Sequence, residues 1–140
     1  MAHIVVEYSR NLESRIEIHD LLRRVHEAAL QSGVFEIGGL RTRAEPRDAY
    51  VIADGHKDNA YVAVTARIGH GRDAETRKRA AQMIFDALCA HLAGIFENAP
   101  LAISLELQEI DPATSFKKNN LHAIVRDRAA EVSEQEGTMP

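Results

Sequence analysis

Tryptophan is absent from this 140-residue chain, and cysteine occurs once, at Cys89. A lone cysteine excludes a disulfide framework within the chain, and its place in a helical pattern reads as a small core hydrophobe. No apolar run approaches the length of a membrane span. The first residues also lack the basic, apolar and small-residue order of a secretory signal, so the expectation is a cytoplasmic protein with no membrane partner. A basic excess is missing too: 17 Lys and Arg stand against 21 Asp and Glu, for a formal charge of −4. That balance argues against nucleic acid as a partner, whereas a small anionic ligand needs only a few local arginines.

Familiar catalytic patterns are also lacking. The histidines do not assemble into a metal site by spacing. His19 and His26 share one helix at the wrong interval, and no H-E-x-x-H run occurs. His122 reads as a hydrogen-bonded structural residue rather than a ligand. No Ser-His-Asp order or nucleophile elbow is present, so no side chain stands out as a general base.

What is present is a twice-repeated pattern. "HIVVEY" opens the chain as a strand rich in β-formers, and Ser9 and Asn11 offer helix caps after it. Ile18, Leu21, Leu22, Val25 and Ala28 or Ala29 then form the stripe of an amphipathic helix stopped at Gly33. "IGGLRTR" reads as a short strand. "EPRDAYVIADGHKDN" reads as a loop, a short strand around Tyr50–Ile52 and a turn at Asp54-Gly55. A second unit follows, with a strand over 60–69 and a helix capped by Asp73 that buries Ala81, Ile84, Phe85, Leu88, Leu92 and Ile95. A strand over 101–110 closes it. The pattern predicts an α+β fold of tandem β-α-β units: a four-stranded sheet with two helices on one face, plus a short hairpin and a C-terminal strand. The other sheet face then needs cover, which a self-associating oligomer supplies.

Three arginines are candidates for holding an anion. Arg41 and Arg43 share one strand face, where like charges repel unless an anion or a carboxylate lies between them; Glu7, Glu106 or Glu109 is the intramolecular alternative. Arg72 ends "RIGHGR" at a glycine-rich turn before a helix, suited to gripping a carboxylate or simply solvated. That turn has neither a third glycine nor a Walker lysine, which speaks against a nucleotide site. The remaining base is the terminal amine. Its ordinary pKa is about 7.7–8.0, and arginine cations and burial push it down toward the neutral, proton-accepting form.

"HIVVEYSRN" (3–11), "SGVFEIGGLRTR" (32–43), "YVIADGHKDNAYVAVTARIGHGR" (50–72) and "FKKNNLHAI" (116–124) resemble the 5-carboxymethyl-2-hydroxymuconate Δ-isomerase family of the tautomerase superfamily. The resemblance runs to about residue 126, which implies a single tautomerase-like domain over 1–126 and a polar, frayed tail over 127–140. It implies a homotrimer and a step of homoprotocatechuate degradation in which a 2-hydroxymuconate becomes its 2-oxo isomer, without metal or organic cofactor. By motif position, Ala2, Arg41 and Arg72 are then the catalytic residues, with Arg41, Arg72 and Arg43 binding the anionic substrate. The family's base is an amino-terminal proline exposed by loss of the initiator methionine, and here Ala2 stands in its place. Two other readings remain open: a non-catalytic binding protein for an aromatic-catabolism dicarboxylate, and a related tautomerase activity.

Overall fold

Strand β1 (Ala2–Ser9) begins at the second residue, and its side chains alternate between two environments. Ala2, Ile4, Val6 and Tyr8 are buried, while His3, Val5 and Glu7 face the other side half-buried. The computed structural model describes residues 1–138.

Helix α1 (Ile18–Gln31) follows a 3-10 turn over Arg10–Leu12. Its cap is Glu17, whose carboxylate accepts from the Asp20 amide at 2.9 Å. Ser9 makes no side-chain cap bond, and the Asn11 amide donates to the Asn59 carbonyl at 2.8 Å. Gly33 ends the helix at φ +78°, a conformation that a side chain would strain. Strand β2 (Leu40–Arg47) then pairs parallel to β1.

The second unit is β3 (Ala60–Gly69), α2 (Ala74–Asn98) and β4 (Leu101–Ile110). Strand β3 runs antiparallel to β1 and parallel to β4, giving the sheet order β2-β1-β3-β4. Asp73 caps α2 by accepting from the Thr76 amide at 2.7 Å, and Glu75 complements the helix dipole in the first turn. The core lies between the sheet and these two helices. Ile4, Val6, Val62, Val64 and Ile68 meet Leu21 and Val25 of α1 and Ala80, Ile84, Leu88 and Leu92 of α2. The buried stripe of α2 therefore runs through Ala80, while Ala81, Phe85 and Ile95 sit half-buried beside it.

Two expectations are corrected. Tyr50–Ile52 forms no strand, so no hairpin arises there; the stretch is a loop pinned by Asn59, whose amide donates to the Ile52 carbonyl at 3.0 Å and to Asp54 at 2.8 Å. Residues Glu45-Pro46-Arg47, read as loop, extend β2 instead. Pro46 is tolerated because β2 is an edge strand, where a missing N–H costs no ladder bond. The last strand among the described residues is β4. Beyond it come a 3-10 turn (Pro112–Thr114) and helix α3 (Leu121–Thr138), where the sequence suggested fraying.

Helix α3 docks through its first turn onto the 3-10 turn Ile37–Gly39 that precedes β2. The Asn119 amide donates to the Gly38 carbonyl at 2.9 Å. A Cβ at Gly38 would stand 2.6 Å from both Cα and Nδ1 of His122, so only glycine permits this approach. Gly38→Ala should cost about 1–3 kcal/mol by forcing the two segments apart. Denaturant unfolding would read that loss, and hydrogen exchange should show faster opening over residues 119–125 than in the wild type.

Candidate active site

The N-terminus sits at the mouth of a cavity of about 190 Å³. Ala2 and Ile68 bring β1 and β3 to its floor, while Val34, Phe35 and Glu36 line it from the connection between α1 and β2. Arg72 enters from the turn between β3 and α2, and Lys117 and His122 come from the C-terminal segment. Gly39 lies between His122 and Met1: a Cβ there would be in ordinary contact with both, 3.4 Å from His122 Cε1 and 3.6 Å from Met1 Cα. His122 Nδ1 is 3.5 Å from a Glu36 carboxylate oxygen.

The amine at Met1 has its pKa lowered from 8.0. Partial burial is the largest cause, followed by the charge and hydrogen-bonding proximity of Lys117 and then the charge of Arg41; Glu36 opposes the shift. The environment of the terminus thus shifts the Met1 amine toward the neutral form, which is the form that can accept a proton.

The four residues singled out from sequence do not all converge. Ala2 and Arg72 share the cavity. Arg72 is half-buried and among the described residues donates only to the Gly69 carbonyl, at 3.4 Å, so its guanidinium keeps capacity for an anion. Arg41 donates to the Gly39 carbonyl at 2.9 Å and acts on the amine through its charge from the side, without lining the cavity. Arg43 is one step further along β2, paired in register with Val5, and its Nη1 lies 3.2 Å from His3 Nδ1 on the open sheet face. None of the three carboxylates weighed as partners for Arg41 and Arg43 pairs with them. Glu7 binds Arg47 at 3.1 Å and Glu109 binds Arg77 at 2.6 Å, while Glu106 accepts from the Gln108 amide at 3.3 Å.

The glycine turn itself is already in use. Gly71, at φ +121°, directs its amide toward a Glu109 carboxylate oxygen at 3.4 Å, so the backbone there meets an anion from within the chain. Cys89 is half-buried and its thiol pKa is raised by burial, which makes it a poor nucleophile. Among the described residues no group of three His, Cys, Asp or Glu side chains could hold a metal ion.

Sequence reasoning missed Lys117, Glu36 and the cavity role of His122. Their signal is tertiary: residues 117–122 reach the terminus only because α3 docks on Gly38, and no periodicity or spacing announces a contact of that range.

Residues 2–125 match the family model described as 5-carboxymethyl-2-hydroxymuconate isomerase. A 5-carboxymethyl-2-hydroxymuconate Delta-isomerase of Escherichia coli is 36% identical over 126 residues, covering 90% of this chain and all of that protein. The crystal structure of a 5-carboxymethyl-2-hydroxymuconate isomerase from Deinococcus radiodurans R1 superimposes with a TM-score of 0.82 at 35% identity, over 89% of this chain and 94% of that one. A fused 4-OT described as a wild-type symmetric trimer shares the fold alone, with a TM-score of 0.61 at 20% identity over 84% of this chain and 92% of that one. With the strand pairing and the terminal cavity already described, these matches give one conclusion: the chain belongs to the 5-carboxymethyl-2-hydroxymuconate isomerase family and has the tautomerase-superfamily fold.

Proposed function

We propose that this protein isomerises 5-carboxymethyl-2-hydroxymuconate to its 2-oxo isomer, using the terminal amine as the proton-transfer group and no cofactor. The observation that carries the reading is a terminus held in a cavity beside Arg72 and Lys117, with its amine shifted toward the neutral form by burial and cationic neighbours. After loss of Met1, the amine is that of Ala2, whose residue is already almost fully buried at the start of β1.

In this scheme the enol O–H gives up its proton, the double bonds shift along the diene, and a proton is delivered to the far carbon. The enol becomes a ketone and no atom is lost or gained. The amine collects and returns the proton. Arg72 holds a carboxylate or the oxygen on which charge develops, and Arg41 contributes through its field beside the terminus. Arg43 keeps the role of substrate binding only if another surface brings the ligand to the open sheet face.

A homotrimer is part of the proposal. It is supported by the trimeric assembly of the fused 4-OT neighbour and by the open sheet face, where His3, Val5, Arg41 and Arg43 lie uncovered by either helix. Light scattering should give three times the mass of one chain; a monomer would remove this element.

Position matters for the base. A retained Met1 moves the amine by one residue, about 3.3–3.6 Å along an extended chain, and errors of about 1 Å already cost on the order of a hundredfold. Intact mass should therefore show methionine loss in active protein. Ala2→Pro, once processed, should turn over the muconate about tenfold faster or more, because the ring fixes φ and supplies a secondary amine. Arg72→Ala should lower kcat/KM about a hundredfold. Processed Ala2→Pro protein that leaves the muconate unchanged would refute the assignment.

The direction of the pKa shift sets the pH dependence. The working form is the neutral amine, so kcat/KM should rise with pH as the amine loses its proton. Burial, Lys117 and Arg41 lower the pKa of the amine at Met1 from 8.0, and the same neighbours acting on the Ala2 amine should place the midpoint of that rise below 8.0. A rise centred at or above 8.0 would overturn the tuning of the base by these neighbours.

A further inference from the structure

The terminus separates two depressions. The first is the cavity of about 190 Å³ that contains Arg72. The second, of about 310 Å³, opens on the other side and is lined by His70, Ile110, Pro112 and Ser115. Met1, Gly69 and Lys117 line both. Gly69 adds no side chain, and a Cβ built on it would meet nothing within 4 Å, so the passage beside it is open. Met1 and Lys117 are therefore the side chains that stand between the two spaces.

Size and charge both bear on this division. The first cavity alone is below the roughly 300 Å³ at which small-molecule pockets begin, whereas the two joined are well within that range. Lys117 forms no ion pair among the described residues; the pair in its neighbourhood is His122 with Glu36, 3.5 Å apart. An ammonium group at the junction and a guanidinium in the first cavity are two separate cations along one path. A molecule carrying more than one carboxylate can offer one to each of these cations.

We propose that the two depressions are halves of one polycarboxylate-binding cleft partitioned by Met1, and that Lys117 at their junction binds one substrate carboxylate while Arg72 binds another. The inference rests on the substrate reading above in one respect, that the ligand carries more than one carboxylate. Loss of Met1 then does two things together: it exposes the Ala2 amine and it joins the halves. While Met1 is present, Lys117 also lowers the pKa of its amine, which places the ammonium group close to the terminus.

The test uses full-length protein in two forms verified by intact mass, one processed and one made with methionine aminopeptidase inhibited so that Met1 stays. Calorimetry with hexanedioate, an unreactive six-carbon dicarboxylate, should show the processed form binding about tenfold tighter or more. Processed Lys117→Ala should lose about tenfold in hexanedioate affinity and less for hexanoate, which has one carboxylate. Lys117→Arg should stay within about threefold of the wild type. In turnover, Lys117→Ala should raise KM more than it lowers kcat. Equal affinity with and without Met1 overturns the partition, and undiminished hexanedioate binding in Lys117→Ala overturns the role of Lys117. The expected binding pattern without any turnover supports the cleft and refutes the isomerase reading, so the two failures are distinguishable.

Discussion

The position of the chain terminus is fixed by strand pairing. Strand β1 is interior, with β2 on one edge and β3 on the other, and its register with β2 begins at Ala2 opposite Leu40. An interior strand is bonded on both edges, so its first residue inherits the rigidity of the sheet. Most terminal amines lie on frayed chain and sample many positions. Here the Ala2 nitrogen has one address, and everything built around it has a fixed target. The glycine pair Gly38-Gly39 acts on the same constraint from outside. Because Gly38 carries no side chain, α3 packs down until His122 contacts the turn, and Lys117 lies against the terminus.

Charge on the open sheet face is arranged in two different ways within a few residues. At the far end of β1 and β2, Arg47 is neutralised by Glu7 at 3.1 Å and by Glu45 at 2.9 Å, and Tyr61 donates to Glu7 at 2.8 Å. Next to the terminus the same face carries His3 between Arg41 and Arg67 in register, with Arg43 one row on. The consequence is visible in His3, whose pKa is lowered first by burial and then by Arg43, Arg41 and Arg67. Like charges gathered without carboxylates are costly to keep together, and the same field that disfavours a proton on His3 disfavours one on the amine. The sheet thus concentrates positive potential at one end, in a chain that is acidic as a whole.

The tandem β-α-β order was legible in the sequence because each signal is local. Asp73 caps the helix it was expected to cap, and Gly33 stops the helix it was expected to stop, in a left-handed conformation. Leu21 and Val25 face the core as their spacing requires. The hairpin was misread because Tyr50, Val51 and Ile52 are β-formers with no partner strand in reach, and propensity does not create a partner. Pro46 was misread in the opposite sense, since its tolerance depends on β2 being an edge, a fact of topology. Of the candidate site, Arg72 and the terminus were legible from a motif and a position in the chain. Lys117 was not, because its proximity depends on a helix docking that joins residues some eighty positions apart.

Ala2 in place of the family's proline becomes easier to understand in this light. A proline ring supplies two things to a terminal base: a fixed φ and a secondary amine. The first is a means of holding the nitrogen still, and the sheet already does part of that work. The Ala2 methyl is packed into the core at 7% exposure, and pairing on both edges of β1 starts within its first two residues. What alanine leaves unsupplied is basicity and shape at the nitrogen itself. Burial and the surrounding cations do not replace that basicity; they lower the pKa of the amine at Met1, which favours its neutral form. The substitution therefore leaves a primary amine at a strand start that the sheet holds in place, beside Lys117 and Arg41, whose charges lower the pKa of the neighbouring Met1 amine.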